Sequence, residues 1–108
     1  MSVFLIAEIK VTDDSWVPGY ASNVHKFVEK QGGRYLSRSG NITAIEGMKK
    51  DCTLVAIMQF PNKMALEGFV NDPEYQSYVK ARKAGSVSQF YMIDDTDIAG
   101  AIPYLAAA

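Results

Sequence analysis

Hydrophobic and polar positions change period several times along the chain. From Val3 to Val11 the odd positions, Val3, Leu5, Ala7, Ile9 and Val11, form one continuous apolar face. The even positions grade from Phe4 and Ile6 to Glu8 and Lys10. A period of two with one uniformly apolar side predicts a strand, and the graded side predicts partial cover, as by a second subunit. Asp13-Asp14-Ser15 offers capping oxygens and negative charge for a helix start. Pro18 falls in the first turn, where its missing N–H costs little. Trp16, Tyr20, Val24, Phe27 and Val28 follow at helical spacing as one apolar stripe, which stops at the Gln31-Gly32-Gly33 cap.

A second strand is predicted from Arg34 to Ser37 or beyond. Ser39-Gly40-Asn41 interrupts it like a turn or bulge, and the β pattern resumes over Ile42-Thr43-Ala44-Ile45-Glu46. A polar, lysine-bearing turn covers Gly47 to Asp51. Leu54 to Phe60 is almost free of charge and reads as a third, central strand. Asn62 caps a helix whose buried side is Met64, Ala65, Leu66, Phe69 and Val70. Asp72-Pro73-Glu74 restarts the helix with Tyr75, Tyr78, Val79 and Arg82, Gly85 closes it, and Ser88 to Asp94 is the last strand.

The element order is β-α-β, a turn, then β-α-β. This predicts an α+β, ferredoxin-like βαββαβ domain over residues 2–95, with an antiparallel sheet and a tail over 96–108. Right-handed crossovers put both helices on one sheet face. Phe4, Ile6, Leu54, Ala56, Met58, Phe90 and Met92 supply more apolar side chains than one covered face can use. An open apolar face exceeds what soluble monomers tolerate, so a homodimer paired through that face is expected.

Composition narrows the function classes. The chain has 108 residues, 48% hydrophobic and 21% charged, which suits one globular domain. Acids and bases nearly cancel, 12 against 11, so no net field draws in nucleic acid or an anionic membrane. With one cysteine, Cys52, and one histidine, neither a disulfide nor a metal site of Cys/His spacing can form within the chain. A reducing cytoplasm is the expected compartment. The first residues read as a strand and not as a signal peptide or membrane span. No glycine-rich phosphate loop, dinucleotide fingerprint or Ser-His-Asp arrangement is readable, and no cofactor or metal is expected.

Several side chains are candidates for chemistry. His25 is the one group that ordinarily titrates near neutrality, a possible general base or simply a helix-surface histidine. Arg38 has the planar fork that suits a carboxylate or enolate oxygen; its plainer role is a salt bridge with Glu8 or Glu46. Arg34 would share its side of a regular strand and line the same pocket edge. Glu8 is a carboxylate on a mostly apolar strand, either a proton-transfer group or a structural ion pair. Tyr20, Tyr35, Tyr75, Tyr78 and Tyr91 are amphipathic walls that suit an aromatic ligand, or core. The candidate catalytic set is therefore Arg38, His25 and Glu8, and the candidate ligand-binding set is Tyr20, Tyr35, Tyr75 and Arg34.

Four segments, Ala7-Glu8-Ile9-Lys10-Val11-Thr12-Asp13, Gly32-Gly33-Arg34-Tyr35-Leu36-Ser37-Arg38-Ser39-Gly40, Gln59-Phe60-Pro61 and Asn71-Asp72-Pro73-Glu74-Tyr75-Gln76 with Arg82, resemble the domain of unknown function 1330 family. The resemblance covers about residues 2 to 95. Ser39, where glycine is common, and Pro18 depart from the pattern. The resemblance implies a dimeric α/β barrel, a superfamily that includes cofactor-independent monooxygenases, haem-degrading enzymes and muconolactone isomerases, and it leaves the reaction open. Two functions stand side by side. One is a cofactor-independent, monooxygenase- or isomerase-like enzyme on a small aromatic or carboxylate metabolite. The other is a non-catalytic dimeric binding or structural module.

Overall fold

In the computed structural model, residues 1–100 are described; the expected tail beyond residue 100 lies outside them. Strand β1, Val3–Val11, leads through a capped 3₁₀ turn at Asp14–Trp16 into helix α1, Val17–Lys30. The Asp13 carboxylate accepts from the Ser15 N–H at 2.9 Å, and Pro18 sits in the first turn of α1, where no backbone donor is lost. Gly32, at φ 75°, ends α1 and turns the chain into β2, Arg34–Ser39. Strand β3, Leu54–Phe60, is followed by α2, Lys63–Val70, where Asn62 Oδ1 accepts from the Ala65 N–H at 2.8 Å. A second break at Asp72 leads to α3, Gln76–Ala84, and β4, Ser86–Asp94.

The strands form one antiparallel sheet in the order β2-β3-β1-β4, the ferredoxin-like βαββαβ arrangement expected from the element order. The helices cover one face. Val24 and Val28 of α1 and Leu66 and Phe69 of α2 pack with Val3, Leu5, Ala7 and Ile9 of β1 and Ala56, Met58 and Phe60 of β3. Asp72, buried at 5% exposure, ties the layer together: Oδ1 accepts from the Glu74 N–H at 3.0 Å and Oδ2 faces Lys30 of α1 at 3.3 Å.

Four expectations are corrected. Ile42–Glu46 forms no strand: no ladder pairs it with any strand of the sheet, and Ile45 is 93% exposed, so the apolar residues of this segment are not held against the core. Met64 and Val70 do not join the buried side of α2, at 80% and 41% exposure, because an eight-residue helix turns only Leu66 and Phe69 fully inward. Leu54, Ala56, Met58, Phe90 and Met92 do not add to the open face. The register Ile9↔Leu54, Leu5↔Met58, Ala7↔Ala56, Ala7↔Phe90 and Leu5↔Met92 puts them on the helix side. The apolar residues of the open face are Phe4, Ile6, Val55, Ile57, Val87, Tyr91 and Ile93. Finally, Arg34 and Arg38 do not share a side. A bulge between Tyr35 and Ser37 shifts the register, pairing Arg34 with Gln59 on the open face and Arg38 with Ala56 on the helix face.

Candidate functional site

The sheet and the start of α1 do not close fully against each other. Between them lies a cavity of about 430 Å³. Its floor is the helix face of the sheet, from Ala7, Ile9, Ala56 and Met58, all buried. Its walls are aromatic. Trp16 comes from the 3₁₀ turn, Tyr20 from the first turns of α1, Tyr35 from β2 and Phe90 from β4. Its charged lining residues are Arg38 and Asp14. A concave, mostly apolar space with few polar groups is what small-molecule sites present.

The walls are held by specific contacts. Trp16 donates its indole N–H to the Gly85 carbonyl at 3.1 Å, and its ring meets Tyr20 edge-on with centroids 5.2 Å apart. The Tyr20 and Tyr75 hydroxyls share a hydrogen bond of 2.5 Å. Burial, reinforced by the neighbouring Tyr75 hydroxyl, pushes the Tyr20 phenol far above the ordinary tyrosine value, so it keeps its proton. Burial also raises the Tyr35 phenol, which the Arg38 charge partly offsets. The Arg38 guanidinium carbon lies 4.3 Å from the Tyr35 ring centroid, a cation stacked on an aromatic face at the cavity edge.

The sequence candidates are distributed as follows. Tyr20, Tyr35 and Arg38 line this cavity together. Tyr75 stands behind Tyr20 and lines a second cavity between α2, α3 and the sheet. Arg34 donates to Gln59 Oε1 at 3.1 and 3.3 Å on the far side of the sheet. Glu8 also lies on the open face, 2.8 Å from Lys50, whose pKa that hydrogen bond and charge raise. His25 is half-buried on α1 and lines none of the cavities described here. Arg38 therefore stands apart from both Glu8 and His25. Asp14, Trp16 and Phe90 were not among the sequence candidates. Asp14 read only as helix-start charge, Trp16 as part of the apolar stripe of the first helix, and Phe90 as one of the apolar side chains in excess of the helix-covered face. No group of three or more His, Cys, Asp or Glu side chains among the described residues is placed to hold a metal ion, and no described helix is long and apolar enough to cross a membrane.

Residues 2–96 match the model of the family described as Domain of unknown function (DUF1330). The chain belongs to that family. No curated protein matches the DUF1330 chain at a significant level. Among solved structures it is similar to a protein of unknown function from Rhodopseudomonas palustris, with TM-score 0.73 and 16% identity over 89% of this chain and 83% of that one. It is also similar to SnoaB, a cofactor-independent oxygenase from Streptomyces nogalater, with TM-score 0.62 and 16% identity over 89% and 94% of the two chains. A dimeric protein of unknown function and ferredoxin-like fold from Bacteroides fragilis aligns with TM-score 0.52 and 17% identity over 86% and 95%. At these identities the likeness is one of fold.

Proposed function

We propose that this DUF1330 protein is a homodimer that takes a small, flat aromatic metabolite into the cavity beside α1 and acts on it without a bound cofactor. The observation that carries the reading is the cavity itself: aromatic walls from Trp16, Tyr20, Tyr35 and Phe90, with a single cation, Arg38, at the edge. Aromatic walls receive a ring by offset or edge-on packing. A guanidinium beside them favours negative charge on a keto or hydroxyl oxygen, so it lowers the cost of removing a proton from the ligand. Asp14 is the acid among the described lining residues and, in this reading, accepts that proton. Tyr20 stays neutral and serves as a wall and hydrogen-bonding brace. That SnoaB shares the fold and is a cofactor-independent oxygenase supports the absence of a cofactor in this reading.

The dimer half of the proposal rests on the open sheet face, where Ile6 lies between Ile57 and Tyr91 in register and Phe4 lies beside Ile93. The dimeric relative of the same fold supports it. The lone thiol of Cys52 supports a reducing, cytoplasmic setting.

Binding without turnover is the second reading. What favours it is that neither His25 nor Glu8 lines the aromatic cavity. A thermal-shift screen of hydroxylated and keto aromatic metabolites, followed by aerobic incubation of each hit without added flavin or metal, separates the two. Consumption of a hit that Arg38→Ala abolishes supports the enzyme. Stabilisation without consumption supports the binding module. Absence of any stabilising aromatic compound overturns both.

A further inference from the structure

Arg82 is the most deeply buried cation among the described residues, at 5% exposure. It occupies the last turn of α3 and reaches across to the sheet, its guanidinium carbon 4.3 Å from the Phe90 ring centroid and 6.0 Å from that of Tyr20. Among the described residues its Nε–H has no hydrogen-bond partner and no carboxylate comes within ion-pair distance of it. The two aromatic faces offset part of the cost of burying the charge, but an aromatic ring is not an acceptor for an in-plane N–H. A buried arginine is normally paired, and this one has been left open.

The surroundings say what would close it. Arg82 lines a second cavity of about 480 Å³ between α2, α3 and strands β1 and β4. Lys83 is beside it in the lining, and none of the described lining residues is Asp or Glu. Apart from these two cations the walls are largely apolar, with Phe69, Tyr75 and Phe90 at the inner end and Met92, 41% exposed, toward the mouth. Two positive charges, no negative one and an apolar body describe the complement of an amphipathic anion. One buried guanidinium with a planar fork matches a carboxylate, with Lys83 as a second, more exposed charge.

We propose that this second cavity is a binding site for a small monocarboxylate with an aromatic or aliphatic body, its carboxylate seated on Arg82. The site is separate from the aromatic cavity beside α1, although Phe90 borders both. It requires no reaction at either place.

Amide chemical shifts of the isotope-labelled protein, titrated with benzoate, phenylacetate and hexanoate and with the amide of each, test the proposal at constant ionic strength. The expected result is that at least one carboxylate binds about tenfold or more tightly than its neutral amide, with shifts centred on Val79, Lys83, Ser88 and Phe90. Arg82→Met should remove that preference without lowering the melting temperature, because it removes an unpaired buried charge and keeps the volume. Arg82→Lys, which keeps the charge, should retain part of the preference even if the methionine variant folds poorly. Equal affinities for acids and amides in the unmodified protein, or shifts centred on Tyr20, Ala21 and Tyr35 instead, would overturn it. So would an unchanged preference in Arg82→Met.

Discussion

The hydroxyls of Tyr20 and Tyr75 lie 2.5 Å apart, joining α1 to the residue that opens α3. Tyr75 is 2% exposed and stacks on Phe69 with centroids 4.5 Å apart, so its hydroxyl has little water to turn to if Tyr20 is removed. Tyr20→Phe should therefore lower stability by about 1–3 kcal/mol, the cost of a buried hydroxyl left without its partner. Adding Tyr75→Phe should cost less than the sum of the two single changes, because the second removes the group the first left unpaired. Urea unfolding of the four proteins measures this. Strict additivity would mean that the two hydroxyls do not support each other.

The same burial gives a pH dependence with a definite sign. The folded Tyr20 phenol is held well above the ordinary value of 10.0, and Tyr35 is raised as well. An unfolded chain releases these protons from about pH 10 upward while the folded chain keeps them. The unfolded state then binds fewer protons, so stability is fully present below pH 10 and falls as pH rises above it. Each such group contributes at most about 1.4 kcal/mol per pH unit. Tyr20→Phe, although less stable at neutral pH, should lose melting temperature less steeply than the unmodified protein between about pH 10 and 12. Parallel slopes in the two proteins would contradict the assignment.

How far the sequence could be read depended on whether the information was local. The caps at Asp13, Asn62 and Asp72 form where expected because each needs only an oxygen and an N–H two or three residues away. The alternation in β1 placed Val3, Leu5, Ala7 and Ile9 on the helix side for the same reason. Which residues of β3 and β4 join them depends on strand register, which is set between segments far apart in the chain, and there the expected open face was drawn from the wrong residues. The Arg34 and Arg38 pair failed on a single extra residue, since a bulge at Leu36 reverses every side chain beyond it. Tyr20, Tyr35 and Arg38 do meet at the cavity edge, but Trp16 read as part of a helical apolar stripe and Phe90 as a residue of the open face, which only the register with Ala7 moves to the cavity. Arg82 reads as a member of the helical stripe with Tyr75, Tyr78 and Val79, and nothing in that spacing signals that its Nε–H finds no partner among the described residues.

Gly85 is a contact glycine. Its backbone conformation is ordinary, with φ −111°, yet a Cβ there would collide with the Trp16 ring and stand 2.7 Å from the Asp13 carbonyl oxygen. Gly85→Ala should thus push Trp16 out of its place at the wall of the aromatic cavity and cost about 1–3 kcal/mol. The protein's one tryptophan reports directly on this. A red-shifted emission in the folded variant is the expected outcome. An unchanged spectrum with unchanged stability would show that the Trp16 packing is looser than the geometry indicates.

Ile6 sits at the centre of the open sheet face, in register with Ile57 on one side and Tyr91 on the other. Ile6→Asp places a charge where two apolar faces are proposed to meet, leaving the helix-covered core untouched. Association should weaken by about a hundredfold or more, with helix content retained. Sedimentation should find the unmodified protein at twice its chain mass of 11.9 kDa and the variant near the chain mass itself. An unmodified protein that sediments as a single chain at working concentration would remove the dimer, and the open face would need another cover.

Arg38 separates a binding role from a structural one more cleanly than any other residue of the cavity. It lies on the edge strand β2, exposed, and among the described residues its side chain stacks on Tyr35 while its backbone pairs with Ala56. Arg38→Ala keeps the backbone pairing and loses the stack, a change of about 0.5–1 kcal/mol at an exposed site. If the guanidinium holds an oxygen of an aromatic ligand, the same substitution should weaken binding about tenfold or more, the usual effect of losing a hydrogen bond to a charged group. Arg38→Lys should fall between, since an ammonium keeps the charge without the planar face that lies on Tyr35. The deciding comparison is between melting temperature and affinity for a hit from the aromatic screen. A large fall in stability with affinity scaling alongside it would make Arg38 a structural residue of β2, and the cavity would have to recognise its ligand through Tyr35 and Asp14 instead.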